Sequence, residues 1–404
     1  RMNTPRPAGQ LSDRGFALLL AALSALGPFS IDTYLPSFPE MADKLGAARP
    51  EVQQTLSAYL IPFAAMALWH GAISDALGRK RVILWALALF ALASFGCVFA
   101  TRIEHLWLFR ALQGISAGAG IVISRAIVRD LYDGPAAQRL MAHVAMTFAL
   151  APAIAPVIGG WLQSWFGWRS VFVFLTLLTG ALWLISWRWL PETLPPEKRT
   201  SLRPGYLART YAKVMRTPAF LLTTGALAFN FSGFFIYVLS APTFIMTHLG
   251  RSEREFLWLF GPGMAGLMLG SWFSARLAGK YTPLQCIARG YVLMGIAAAL
   301  NLAISHLLPP GIPWSVAPVF LYTAGMALAM APLTLIALDP FAHERGLAAS
   351  CQTFLQSGFN GIAAGLIAPL LWGSTPELAW GMAGFAACGA IATLLHARRA
   401  QQRG

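Results

Sequence analysis

Asp32 stands inside an apolar run that begins at Phe16, and Arg110 stands inside another that begins near Leu106. A charge in hydrocarbon costs roughly 2.5–3.5 kcal/mol even on lenient insertion scales, so each residue marks a functional site by default. Gly27, Pro28 and Pro36 interrupt the first run, which spanning helices tolerate only where neighbours or water satisfy the freed backbone groups. The two runs enter a bilayer from opposite sides. At about 1.5 Å of rise per residue, both side chains come out in its outer half at similar depth. A carboxyl group held between an apolar wall and a cation can take a proton from one side and release it to the other. The alternatives are plain ones: Asp32 capping structure at an aqueous mouth, and Arg110 snorkelling to the outer headgroups.

Such groups need a scaffold of spans. The chain has 404 residues, 57% hydrophobic and 11% charged, with a mean hydropathy of +0.59. Soluble domains carry about 25% charged residues, so composition alone indicates a membrane protein. Twelve apolar runs approach the ~20 residues that a helix needs to cross a bilayer. They are 16–36, 52–74, 82–101, 106–128, 140–163 and 170–190, then 219–242, 256–277, 284–308, 314–338, 347–372 and 378–396. The first reads as a span rather than a removable leader, because further spans follow it.

Most Lys and Arg fall in the tails and in the loops on the same side. Lys44, Arg49, Arg102, Arg169, Arg251 and Arg254 fall on the other side, while the acids split nearly evenly. A bias confined to Lys and Arg places both termini in the cytoplasm, and it explains the net charge of +14 without a nucleic-acid partner. The long polar stretch Pro191 to Thr217 divides the spans six and six. The expected architecture is therefore an all-α integral membrane protein of twelve transmembrane helices, with one six-helix bundle in 1–190 and a second in 218–404. A cytoplasmic linker, 191–217, joins them, as in transporters built from repeats. The cysteines (Cys97, Cys286, Cys351, Cys388) are scattered singly, without CxxC or Cys/His spacing, so neither a disulfide frame nor a metal site is expected.

Gly71–Arg81 (GAISDALGRKR) joins the second and third spans. Its glycines permit a tight turn, and Asp75, unfavourable at a helix C-terminus, needs a base such as Arg79 to answer it. With Gly71, Asp75, Gly78, Arg79 and Lys80 all in place, the segment resembles the G-x-x-x-D-x-x-G-R-[RK] signature of the major facilitator superfamily. Arg110-Ala-Leu-Gln113-Gly114 resembles the R-x-x-Q-G motif of its proton-coupled members. Pro152 and Ala155-Pro156-Val-Ile-Gly159-Gly160 resemble the antiporter motif ending G-P-x-x-G-G, with alanine in place of the first glycine. Asp32-Thr-Tyr-Leu-Pro36, Arg125 to Asp130, Trp168-Arg169 with Phe172, and Pro191-Glu-Thr193 together are similar to the Bcr/CflA-type drug:proton antiporters. The second half resembles the family mainly in hydropathy and length, its loop Ala275–Tyr281 keeping only a trace of the Gly71–Arg81 pattern.

The resemblance implies the major facilitator fold, a bacterial inner-membrane location and proton-driven export of small amphipathic drugs by a monomer, with Asp32 and Arg110 as the proton-coupling pair. Some related exporters have a second acid where this chain has Ser24, which argues against multiply charged cations as substrates. Tyr34, Tyr59 and Phe63 in the first half and Asn230, Tyr237, Gln356 and Asn360 in the second are candidate substrate contacts. Gln352, Gln356 and Asn360 recur every fourth residue and form one polar stripe; interhelical hydrogen bonding is an equal explanation for such residues. Gly114/Gly118, Gly266/Gly270 and Gly361/Gly365 read as close-packing sites. His143 is a possible proton relay or an interfacial histidine, and Arg125 is expected to be structural, pairing with Asp130 or Asp133.

No Walker motif or cofactor site is present, so transport rather than ATP-driven work is expected. A proton-coupled transporter of a sugar or organic acid shares the fold, but such sites spread several charges through the cavity. A membrane enzyme would need paired acids, a metal cluster or an activated nucleophile, and the seven His are isolated.

Overall fold

A computed structural model of the protein describes residues 12–131, 151–152, 154–199, 204–277, 280–341 and 345–401. Helix dominates from the first described residues. Ser12 caps α1 (Asp13–Asp32) by accepting a hydrogen bond from the Gly15 amide at 3.1 Å. Pro28 lies within α1, and the helix ends just before the short turn Leu35–Ser37. Gly46, in the left-handed region at φ 59°, closes α2 (Phe38–Leu45). Then come α3 (Arg49–Leu77), α4 (Arg79–Val98), α5 (Ile103–Leu131), α6 (154–166) and α7 (Arg169–Trp189). With 29 residues each, α3 and α5 reach about 43 Å, the thickness of a bilayer with its headgroups.

The polar linker contains a short amphipathic helix, α8 (Pro204–Met215). Beyond it lie α9 (Pro218–Leu239), a π-helical turn Pro242–His248, α10 (Leu257–Leu277), α11 (Pro283–Leu307) and α12 (Ala317–Leu338). The chain ends with α13 (Arg345–Ile362), a second π-helical turn at Ala363–Ile367, α14 (Ala368–Leu371) and α15 (Thr375–Gln401). Among the described residues, 10 helices are long and apolar enough to cross a membrane. Of the two other expected spans, half of 140–163 lies outside the described residues. The second is α10, 21 residues long, where four glycines and Pro262 dilute the apolar content.

Helices α1–α7 pack chiefly on one another, as do α9–α15, and α3 against α13 is the main crossing between the two groups. Small residues set the closest approaches. A Cβ at Gly270 would sit 2.8 Å from the Ala324 carbonyl carbon, and one at Gly290 would sit 2.7 Å from the Gly325 oxygen. Without water between helices, this close packing is what holds spans together. Large apolar side chains such as Leu92, Phe99, Leu177, Leu307, Leu335 and Leu370 lie exposed, the outward surface expected of a protein solvated by lipid. The cysteines are free, Cys97, Cys286 and Cys351 buried and Cys388 exposed.

The end of the molecule away from the termini is closed. Gln53 of α3 donates to the Leu239 carbonyl at 3.1 Å, and Ser57 donates to the Gly361 carbonyl at 2.8 Å. Gly160 of α6 lies against the backbone of Glu253, and Arg254 donates to Ser164 at 2.9 Å. The cleft left between the two groups there, lined by Val52, Gln53, Leu239 and Trp372, has about 40 Å³ free. Drug-sized sites need roughly 300–1,000 Å³.

Candidate functional site

Arg110 is fully buried within α5 and is among the largest side chains so enclosed, so it does not snorkel. Its guanidinium lies between two aromatic faces, 4.3 Å from the Tyr34 ring centroid and 4.4 Å from that of Tyr59. One terminal nitrogen donates to Gln113 at 2.7 Å and to the Ser30 carbonyl at 3.3 Å, while Nε and the other terminal nitrogen have no hydrogen-bond partner. Desolvated cation–π contacts are worth about 2 kcal/mol or more, so two rings supply much of what water would have given this charge. The i,i+3 spacing of Arg110 and Gln113 puts both on one face of α5. Gln113 passes the chain on to Ser94 at 2.7 Å, and Ser94 donates to the Phe90 carbonyl at 2.8 Å.

The tyrosines are themselves fixed. Tyr34 shares a hydrogen bond with Thr55 at 2.7 Å, and its ring packs on Phe38 and Phe172. The Tyr59 hydroxyl accepts from Ser30 at 3.0 Å and donates to the Gly27 carbonyl at 3.2 Å, next to Pro28. Phe63 stacks on Tyr59 at 6.1 Å. Both tyrosines are wholly buried, so in this conformation they face Arg110 rather than an open cavity.

Asp32, at the C-terminal end of α1, is 4% exposed. No described residue donates a hydrogen bond to its carboxylate or pairs with it. The depth agreement read from the sequence holds, since Arg110 reaches the carbonyl of Ser30, two residues away. The two charged groups are nevertheless not paired. The Arg110 charge rests on rings and neutral dipoles, and Asp32 is left without a cation.

The Gly71–Arg81 segment builds a second cluster at the end of the molecule where the linker lies. Arg79 is 6% exposed, pairs with Asp75 as expected, reaches Asp130 at 3.0 Å and donates to Ser74 at 2.6 Å. Gly78 has φ 102°, which favours glycine, and this leaves room for Glu192, whose carboxylate accepts from the Arg79 amide at 2.9 Å and so caps α4. Thr193 donates to Asp130 at 2.8 Å, and Arg199 lies 4.0 Å from Glu192. Asp130 thus serves Arg79. Lys80 and Gly71 are half-buried, and Gly71 lies beside Val122. Glu192 and Asp130 acquire roles here that spacing did not reveal: they lie 113 and 51 residues from Arg79.

Pro152 and, in α6, Ala155, Pro156, Gly159 and Gly160 of the expected motif fall among the described residues. Gly159 lies against the Thr33 carbonyl, directly beyond Asp32, and Pro156 is buried. His143, Arg139 and Asp133 lie outside the described residues, and Arg125 is exposed. Gly114 packs on the Tyr59 backbone, Gly118 on His70, and Gly361 and Gly365 on Ile61 and Ser57.

Asn230, Tyr237 and Asn360, after the linker, hydrogen-bond within their own helix group. Asn230 donates to Tyr291 at 3.0 Å, and Tyr291 bonds Thr393 at 2.9 Å. Tyr237 accepts from Asn301 at 2.6 Å. Asn360 accepts from Ser232 at 3.4 Å, while Gln352 and Gln356 on the same stripe are half-buried. For Asn230 and Tyr237 the geometry is that of interhelical hydrogen bonding, tying α9 to α11 and, through Tyr291, to α15. Among the described residues no group of His, Cys, Asp and Glu could hold a metal ion.

The family model of the Major Facilitator Superfamily matches residues 18–365. The chloramphenicol resistance protein of Pseudomonas aeruginosa is 30% identical over 88% of this chain and 84% of its own length. Multidrug resistance protein D of Escherichia coli K12 is 29% identical over 87% of this chain and 88% of its own. Among solved structures, a D-xylose–proton symporter superposes with a TM-score of 0.73 over 94% of this chain and 96% of its own, at 13% identity, which is a likeness of fold. The chain therefore belongs to the Major Facilitator Superfamily: it is a multi-pass membrane transporter with Bcr/CflA-type drug exporters as relatives, and not an enzyme.

Proposed function

We propose that this protein is a proton-coupled drug exporter of the bacterial inner membrane. Twelve spans in two six-helix bundles, 1–190 and 218–404, rock about a central site, with linker 191–217 and both termini in the cytoplasm. The observation that carries the reading is Asp32: a buried carboxyl with no partner among the described residues, two residues from the Ser30 carbonyl reached by a buried arginine whose charge is held elsewhere. A carboxyl in that position binds a proton when the site faces outwards and loses it when drug and cytoplasm claim the site. The names of the two relatives supply the drug class, and a single carboxyl suits a neutral or singly charged amphipathic compound. Asn230, Tyr237, Gln356 and Asn360 become candidate drug contacts once the helices separate.

In the closed end described above, the site is shut from the side away from the termini, which under this topology is the outside. The experiment is transport of chloramphenicol and tetraphenylphosphonium into inside-out vesicles with an imposed pH gradient. Uptake that follows the gradient and collapses with a protonophore supports proton-coupled export. Gradient-independent uptake, or uptake of a labelled sugar or organic acid in its place, overturns it.

A further inference from the structure

Helix α3 carries two interleaved stripes with the same four-residue spacing. Gln53, Ser57 and Ile61 meet the helices after the linker: Gln53 donates to Leu239 at 3.1 Å, Ser57 to Gly361 at 2.8 Å, and Ile61 lies 2.8 Å from where a Cβ on Gly361 would be. Thr55, Tyr59 and Phe63 meet the arginine: Thr55 holds Tyr34 at 2.7 Å, the Tyr59 ring lies 4.4 Å from the Arg110 guanidinium carbon, and Phe63 stacks on Tyr59 at 6.1 Å. Residues two apart on an α-helix stand about 160° apart around its axis, so the stripes lie on nearly opposite faces. One rigid helix therefore grips the opposing helix group with one face and both walls of the arginine cage with the other.

From this we infer that Tyr59 is the residue that couples the opening of the outer closure to the proton site. The inference rests on the proton-coupled reading above and names the link inside it. Separating the helix groups breaks the Gln53 and Ser57 bonds and moves α3. Because Tyr59 belongs to α3 and Tyr34 is tied to it through Thr55, the two rings cannot both keep their places over Arg110. The guanidinium, with two nitrogens already lacking hydrogen-bond partners and one nitrogen already on the Ser30 carbonyl, is then free to turn to the Asp32 carboxyl two residues along the same helix. Tyr59 is thus a positioning residue: it touches neither drug nor proton and acts through Arg110. The fixed hydroxyl contacts to Ser30 and Gly27 set the ring at the proline break of α1, so the same shift is felt by the segment that carries Asp32.

The test is a cycle of variants in purified full-length protein, reading the pH midpoint of proton release on adding chloramphenicol or tetraphenylphosphonium. Weakening the closure with Gln53→Ala and Ser57→Ala should shift the midpoint by about 1.5 pH units, the size of one desolvated cation–π contact on the proton scale. The same pair of changes placed on Tyr59→Leu should shift it by less than about a third of that. Tyr59→Phe keeps the ring and should restore most of the shift, which a purely structural role of the hydroxyl would not do. Equal shifts with and without the ring, or no shift on weakening the closure, overturn the inference. Should Tyr59→Leu fail to fold, Thr55→Val with Tyr59→Phe preserves volume and cuts the Thr55 tie and the Tyr59 hydroxyl contacts. The shift should then fall by at least half, and an unchanged shift overturns the inference. Asp32→Asn runs alongside: proton release surviving in that variant removes the proton-coupled reading itself, whatever Tyr59 does.

Discussion

Gly114 offers a sharp test of the packing on which the arginine cage depends. A Cβ there would fall on the Tyr59 carbonyl oxygen and lie 2.9 Å from its carbon and 3.1 Å from its Cα. Ordinary contact begins near 3.4 Å, so the carbonyl carbon must retreat by at least about 0.5 Å and the oxygen by more. The obstacle is backbone in the middle of a helix packed along most of its length, and no rotamer change relieves it. Overpacking of this kind costs about 1–3 kcal/mol, and a backbone obstacle puts Gly114→Ala at the upper end. Gly225→Ala in α9 is the control: nothing lies within 4 Å of its added Cβ, and the helix gains roughly 0.5–1 kcal/mol from losing a glycine. Thermal unfolding in detergent should place Gly114→Ala roughly 3 °C below native and Gly225→Ala at or above it. Because the displaced carbonyl belongs to Tyr59, the first variant should also lose pH-gradient-driven drug transport. A Gly114→Ala protein as stable and active as Gly225→Ala would refute the argument.

Other expectations follow from single contacts. Arg79→Lys keeps the charge but cannot hold Asp75, Asp130 and Ser74 together, so it should lower thermal stability by about 1–3 kcal/mol and slow transport without altering drug affinity, as read by binding in detergent. Glu192→Gln keeps a hydrogen-bond acceptor for the Arg79 amide but removes the charge, and should cost roughly 0.3–1 kcal/mol, visible as faster hydrogen exchange at the start of α4. In the loop before α10, hydrogen bonds from the Ser252 amide and hydroxyl, with Arg251 adding to them, hold the Glu255 carboxyl below its ordinary range. A lowered folded-state value means that this support is complete at neutral pH and fades only as pH falls below about 4. Exchange of the Ser252 amide should therefore be flat between pH 5 and 8 once corrected for its intrinsic rate, and faster throughout in Glu255→Gln.

The scaffold was legible because lipid imposes long apolar runs and confines Lys and Arg to one side. Asp32, Arg110 and the Gly71–Arg81 segment were legible for the complementary reason, that charges and glycines inside such runs carry a cost. Their partners were legible only where close in sequence, as for Asp75 and Arg79. Tyr34 and Tyr59 were named as candidate drug contacts, but only the folding of α1, α3 and α5 together shows their faces taken by Arg110. Glu192 and Asp130 meet Arg79 across 113 and 51 residues, separations at which spacing says nothing. Asn230 and Tyr237 do share a helix, as their spacing of seven indicated, yet both hydrogen-bond to α11 through Tyr291 and Asn301. Period reveals a shared face but not what the face meets.

The central claim concerns the Asp32 proton, and the most direct measurement is proton release by purified protein on binding drug in weakly buffered detergent solution. The native protein should release on the order of one proton per drug bound as the carboxyl ionises. Asp32→Asn should bind the drug and release none. Release from Asp32→Asn equal to native would contradict the account.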